Sequence, residues 1–283
     1  MGKILVLGGT GHVGSSVVEQ LVAAGEQMRA GARDPGKVKA ARGVETVRFD
    51  YTDPATFGPA LDGVDRVFLL GPEGLLPHTL LGPFVAEATR GGTRRIVLMT
   101  ASGVELNDED PLRQVELQIE RSGAPYVFLR PNWFMDNFRT YWAAPIQKDG
   151  VIPLPAADAR SAFIDIRDIA ASAVAALRTD RFERRAYALT GPESLTYTEA
   201  ADILSKAAGR AIRYTPIEDA PFLESLVVAG YSREYASVIT ALFGFVRQGA
   251  AAQVTGGVQA LTGKPPRTLA EYARDHVAAL RAA

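Results

Sequence analysis

Apolar residues in the first half of the chain fall into short runs separated by helix-like spacing. The runs at 3–7, 27–32, 44–49, 65–70, 94–100 and 125–130 are predicted strands, and between them apolar positions recur at helical intervals, as in Val17, Val18, Leu21 and Val22. Strands buried on both faces read as nearly continuous apolar runs, and their alternation with helices gives an α/β fold with a doubly wound parallel sheet. Turn chemistry supports these divisions. Gly25 follows the first helix, Asp53-Pro54 opens a short one, Gly91-Gly92 closes another, and Ser122-Gly123 stops the helix that begins near Pro111.

Beyond residue 150 the pattern loosens. Pro153 and Pro155 bracket a short extended piece, and the run at 162–170 ends by opening a helix through Val174 and Leu177. A short strand from Tyr187 leads to Gly191-Pro192, and Thr196 with Glu199 has the capping-box spacing that starts a helix through Ile203 and Leu204. Helical spacing continues over 218–229 and 233–248, and Thr268 with Glu271 caps a last helix. The expected organisation is a sheet domain over 1–150 with 162–190 returning to it, a mostly helical substrate lobe over 191–267, and a C-terminal helix over 268–283. Such a lobe is expected over the carboxyl ends of the strands, where open α/β sheets bind ligands.

The first strand runs directly into Gly8-Gly9-Thr10-Gly11-His12-Val13-Gly14. Gly8, Gly11 and Gly14 fit GxxGxxG, and Gly9, Gly11 and Gly14 fit the tighter GxGxxG. The glycines serve a tight turn, close approach of backbone to a pyrophosphate, and close packing of helix on strand. Thr10, His12 and Val13 complete a turn whose helix points free N–H groups and a positive dipole end at an anion. The sheet is therefore expected to be a Rossmann sheet that binds a dinucleotide.

Composition narrows the remaining classes. A net charge of −1 and no Lys/Arg cluster interleaved with aromatics argue against nucleic acid as a partner. Without cysteine there is no thiolate chemistry, and His12, His78 and His276 are scattered without ligand spacing, so no metal site is expected. No segment approaches the roughly 18 apolar residues of a membrane span. The N-terminal run reads as a strand and not as a signal peptide. The expectation is a soluble cytoplasmic protein with no membrane partner and an oligomeric state that the sequence does not set.

The cofactor expected is NADP(H). NAD-binding folds place a carboxylate at the end of the second strand to hold the ribose 2′-hydroxyl. Here that strand end reads Gly31-Ala32-Arg33, and a guanidinium binds a 2′-phosphate that a carboxylate would repel. Lys37 adds a second cation, and Asp34 before Pro35 is a turn or cap residue. Asp50, at the end of the third strand, is placed either to accept from the adenine amine or to cap a loop, with Tyr51 beside it. Leu70, Gly71 and Pro72 end the fourth strand, where a backbone without side-chain bulk passes the ribose and pyrophosphate. Thr100, Ala101 and Ser102 end the fifth, close to a nicotinamide. Ser102 is also placed to bond a substrate oxygen, although Ser before Gly is common loop chemistry.

Together the segments LGGTGHVG, ARDPGK, FDYTDPATF, GVDRVFLL, RIVLMTAS, SGAPYVFLRPNWFMDNF, FIDIRDIA and YALTGPESLTYTEAADIL resemble the NmrA-like branch of the atypical short-chain dehydrogenase/reductases, over most of the chain. RPNWFMDNF with VTGGVQALTGKPPRTLAEY resembles in particular the festuclavine and agroclavine reductase subgroup, and type 2 NAD(P)H:quinone oxidoreductases are similar more broadly. The resemblance implies NADP(H) stretched across the Rossmann domain and a substrate cleft closed by the C-terminal lobe. It also implies that the loop after the sixth strand contributes to the nicotinamide end, through Pro131, Asn132, Trp133 and Phe134. Trp133, Phe134, Phe138, Tyr141 and Trp142 form an aromatic concentration suited to a planar small molecule or to a core between lobes. The chain departs from the wider superfamily at one place. Typical members carry a Tyr-x-x-x-Lys pair that protonates a carbonyl oxygen, and between Thr100 and Gly123 there is neither Tyr nor Lys. Arg113 and Glu116 in that stretch read either as facing the cleft or as an exposed salt-bridge face. Two functions suit the departure: a reductase that passes hydride to a quinone, iminium or conjugated carbonyl, and a regulatory protein that senses NADP(H) without turnover.

Overall fold

The computed structural model describes residues 2–38, 43–72 and 77–281. In chain order the elements are β1 (Lys3–Leu7), α1 (His12–Ala23), β2 (Met28–Ala32), β3 (Val44–Arg48), α2 (Phe57–Leu61), β4 (Val64–Leu70), α3 (Pro77–Arg90), β5 (Arg95–Met99), α4 (Pro111–Ser122) and β6 (Tyr126–Pro131). Then come α5 (Ala143–Asp149), β7 (Val151–Leu154), β8 (Arg160–Ser161), α6 (Ile166–Arg178), β9 (Arg185–Leu189), β10 (Leu195–Thr196), α7 (Tyr197–Ala208) and β11 (Arg213–Pro216). The last stretch is helical: α8 (Asp219–Val228), α9 (Arg233–Arg247), α10 (Gly257–Thr262), α11 (Leu269–Asp275) and α12 (Val277–Leu280). Short 3-10 turns sit between several of these elements.

The chain forms two compact units. The first comprises Met1–Pro131, Ile166–Leu189 and Gly257–Lys264. Its seven strands lie in the order β3-β2-β1-β4-β5-β6-β9, all paired in parallel. Ile4 to Leu7 are fully buried, as a strand covered on both faces requires. Leu7, Phe49, Phe57 and Phe84 belong to one core cluster, in which the Phe84 ring meets Phe49 and Phe57 edge-on at 5.1 and 5.4 Å. Arginines interrupt several of the strands, Arg66 in β4 and Arg95 in β5 among them. Arg66 and Arg95 both donate at 3.2 Å to the carbonyl of Leu177, in the last turn of α6, where carbonyls lack an intrahelical donor.

The second unit comprises Asn132–Asp165, Thr190–Gly256 and Pro265–Ala283. It holds two strand pairs, β7 with β11 in parallel and β8 with β10 antiparallel, and a core that includes Phe138, Trp142, Phe163, Tyr197, Phe243 and Tyr272. Both expected capping boxes form, Thr196 with Glu199 on α7 and Thr268 with Glu271 on α11.

This division differs from a domain boundary near residue 150. Asn132–Asp165 groups with the second unit because Met135, Phe138, Trp142, Ile146 and Ile152 lie in its core. Gly257–Lys264 returns to the first unit, where α10 packs on α6 and β9. The single C-terminal helix expected over 268–283 is two helices, broken at His276, whose φ of −114° and ψ of 23° are not helical. Residues 282 and 283 lie outside the described residues. No helix among the described residues is long and apolar enough to cross a membrane.

Candidate functional site

In the sheet of the first unit, β1 lies between β2 and β4, so the strand order reverses there. A crevice opens at such a switch point, beyond the carboxyl ends of the strands. Gly8 leaves β1 at φ +73°, and a Cβ there would lie 3.3 Å from Leu70 at the end of β4. The turn closes with Gly11 N–H donating to the Gly8 carbonyl at 2.9 Å. Gly11 is the cap of α1 and offers no side chain, so the first helical N–H groups, those of His12, Val13 and Gly14, have no side-chain cap. A Cβ on Gly14 would sit 2.0 Å from the Gly8 oxygen, which is why helix and turn approach only through glycine. Thr10, Gly11 and His12 are exposed and Val13 is buried. N–H groups left uncapped at a helix start favour an anion, and the residues present fit the pyrophosphate of a dinucleotide.

At the end of β2, Arg33 and Lys37 are exposed. Asp34, next to Arg33 in the chain, accepts from Gly36 N–H at 3.0 Å and caps the 3-10 turn Pro35–Lys37. Asp50 accepts from the Thr52 N–H at 2.9 Å and from its hydroxyl at 2.7 Å. Those bonds, with weaker help from the Arg33 and Arg48 charges, hold its carboxyl below the usual range. Of the two alternatives left open for Asp50, the structure displays the loop cap. Tyr51 donates its hydroxyl to the Leu70 carbonyl at 2.8 Å, tying the end of β3 to that of β4, and burial raises its pKa. Gly71 is partly buried and Pro72 exposed.

The ends of β5 and β6 are cross-tied. Thr100 N–H donates to the Leu129 carbonyl at 2.9 Å and Ser102 N–H to the Pro131 carbonyl at 3.0 Å. The exposed Ser102 hydroxyl donates to the Arg130 carbonyl at 2.9 Å. Ala101 is partly buried. Thr100, expected at a nicotinamide, is buried instead, and its hydroxyl donates to Glu116 at 2.8 Å.

Glu116 faces neither solvent nor a cleft. It is 0% exposed. Its Oε1 accepts from Thr100 and from Arg130 Nε at 3.0 Å, and its Oε2 from Arg130 at 2.6 Å and Arg113 at 2.9 Å. Burial works against the Arg130 charge, but the Glu116 carboxylate outweighs it, so the guanidinium pKa lies above its ordinary value. Sequence reasoning missed this cluster. The available signal was Arg130 itself, a charge at the end of an apolar strand that needs a buried partner.

In the second unit, Asn132 is buried, donates to the Ala251 carbonyl at 2.8 Å and accepts from Trp133 N–H at 2.8 Å. Both ends of its amide are thus engaged within that unit. Phe138, expected at a substrate, is fully buried against Trp142 and Phe163, with ring centroids at 5.0 and 5.3 Å. Trp142 is buried too, so these two belong to the core. Trp133 and Phe134 keep partial exposure, Trp133 with its ring 4.9 Å from that of Phe243. No cluster of metal-ligating side chains occurs among the described residues.

The model of the NmrA-like family matches residues 1–273. The chain is 35% identical to the NAD(P)H azoreductase of Xenophilus azovorans, over 99% of this chain and 100% of that protein. It is 30% identical to the agroclavine dehydrogenase of Claviceps fusiformis, over 96% of each. Among solved structures, the NADPH-dependent quinone oxidoreductase of Escherichia coli complexed with NADPH superposes with a TM-score of 0.84 at 26% identity, over 96% of this chain and 99% of that one.

Proposed function

Because the chain belongs to the NmrA-like family, we propose that it is an NADPH-dependent reductase whose acceptor is already electron-poor: a quinone, an iminium or a conjugated carbonyl. The observation that carries the acceptor class is α4. In the stretch where a Tyr/Lys proton donor would stand, the helix presents the buried Glu116 to two arginines and a threonine. An acceptor that needs no proton from the protein during hydride transfer suits such a site.

The cofactor, NADP(H), supplies the hydride when bound. The residues of this chain bind and orient it. The N–H groups at the start of α1 receive the pyrophosphate, Arg33 with Lys37 takes the 2′-phosphate, and the ends of β4 and β5 line the path toward the nicotinamide. Trp133 and Phe134 supply aromatic surface for a planar acceptor. The azoreductase and quinone oxidoreductase relatives support the reading, since each is named for reducing an unsaturated acceptor with a nicotinamide cofactor.

The test is to incubate the protein with NADPH and a panel of quinones, azo dyes and cyclic iminium compounds, following absorbance of the reduced cofactor. Turnover on at least one class is expected. Tight NADPH binding with no turnover on any acceptor would replace the reductase by a sensor of the coenzyme.

A further inference from the structure

Glu116 accepts four hydrogen bonds on two oxygens, which fills the lone-pair capacity of a carboxylate. Stability alone does not demand this arrangement, because a buried ion pair exchanged for apolar residues of similar volume is often neutral or stabilising. Val115 and Ile119, both 0% exposed, already bury an apolar face of α4. What the carboxylate adds is a fixed geometry at two strand ends. The last ladder pair between β5 and β6 is Met99 with Leu129. Beyond it, the side chains of Thr100 and Arg130 converge on one carboxylate.

That clamp has a chemical consequence at Ser102. With Arg130 held, its carbonyl accepts the Ser102 hydroxyl proton at 2.9 Å while the Ser102 N–H is taken by Pro131. A serine hydroxyl has one proton and two acceptor lone pairs. Its proton is committed to backbone, so its exposed oxygen offers only lone pairs. We propose that Glu116 is a positioning residue which, through Thr100 and Arg130, fixes Ser102 as a hydrogen-bond acceptor for an N–H donor such as the nicotinamide carboxamide, and so keeps it from acting as a proton source. The inference rests on the reading above, in which the nicotinamide lies at the end of β5.

The experiment compares wild type, Glu116→Gln, and the double variant Glu116→Leu with Arg130→Met, which removes both charges and keeps the core filled. Thermal midpoint, NADPH affinity, the emission spectrum of bound NADPH, and kcat and KM with a quinone are measured on each. In the double variant the midpoint and NADPH affinity stay near wild type. Its kcat falls by at least about tenfold with little change in KM, the scale expected of a reacting group misplaced by a fraction of an ångström. The emission of bound NADPH moves toward that of the free cofactor. Glu116→Gln shows the same loss of kcat together with a lower midpoint, since it leaves two arginines short of charge.

A stable double variant with wild-type kcat and emission overturns the proposal and leaves the cluster purely structural. If the double variant does not fold, Thr100→Val decides instead. It removes one tie and leaves the ion pair, and wild-type kcat and emission in it overturn the proposal equally. A wild type that binds NADPH but reduces nothing sinks the reductase reading alone, because the emission comparison still decides the role of Glu116. A wild type that does not bind NADPH removes both.

Discussion

Gly14→Ala tests whether the cradle is set by steric contact between α1 and the turn. The added Cβ would lie 2.0 Å from the Gly8 oxygen and 2.5 Å from its carbonyl carbon. Both are backbone atoms, so no side chain can swing aside. To reach ordinary contact, helix and turn must part by roughly 1 Å or more, and overpacking of this kind costs about 1–3 kcal/mol. With the obstacle in the backbone the upper end applies, and the better helix propensity of alanine returns about 1 kcal/mol, leaving a net loss of about 2 kcal/mol. Gly58→Ala is the control. It stands in α2 with nothing within 4 Å of an added Cβ, so the same exchange should be neutral or stabilise by up to about 1 kcal/mol. Urea unfolding of both variants measures the difference, and NADPH titration follows the site. Parting α1 from the turn strains the 2.9 Å bond from Gly11 to Gly8. It also displaces the N–H groups proposed to receive the pyrophosphate, which should weaken NADPH by about 1.5–3 kcal/mol, the worth of a hydrogen bond to a charged group. If Gly14→Ala matches Gly58→Ala in stability and wild type in NADPH affinity, the packing argument fails.

Further expectations follow from the same geometry. Arg33→Ala should weaken NADPH by about 1.5–3 kcal/mol and leave NADH nearly unchanged; equal losses in calorimetric titrations would remove Arg33 from the 2′-phosphate. Phe138→Ala should destabilise the protein by about 3–5 kcal/mol in denaturant unfolding, as expected for a fully buried aromatic. A variant of wild-type stability with a raised KM would return Phe138 to the substrate. The Glu199 and Glu271 carboxyls are held below their usual range, first by the backbone N–H groups of Thr196 and Thr268. Because their pKa values are lower folded than unfolded, the stability they confer is present above the ordinary carboxylate pKa and is lost as pH falls through the folded values. Glu199→Gln with Glu271→Gln should therefore flatten the acid limb of a plot of melting temperature against pH, and an unchanged limb would deny the linkage.

Most of the first six strands were legible because buried parallel strands read as nearly continuous apolar runs, and the structure ends each of the six within two residues of the predicted bounds. The capping boxes at Thr196 and Thr268 were legible for a local reason as well, since their partners stand three residues away. Long-range partnerships were not. Nothing near Arg66 or Arg95 indicates that both serve the end of α6, more than eighty residues further along. Glu116 was misjudged because residues beside an apolar stripe read as surface until a partner is known, and its partner Arg130 lies on a different element. At the candidate site the glycine turn was readable because backbone geometry dictates it. Phe138 and Trp142 were ambiguous because aromatic residues line pockets and fill cores alike.

The interleaving of the two units bears on how the protein is made. The polypeptide passes from one unit to the other five times, at 131, 165, 189, 256 and 264. A ribosome releases residues in order, at roughly 5–20 per second, and domains usually fold as contiguous stretches emerge. Here the larger sheet waits for its last helix, Gly257–Thr262, and the other core waits for Leu269, Tyr272 and Leu280. Neither can close until residues beyond 256 have emerged, so the nascent chain carries unfinished apolar surface while the preceding residues are made. A premature stop before Gly257 should cripple both units at once, whereas one between 264 and 269 should cripple the second alone.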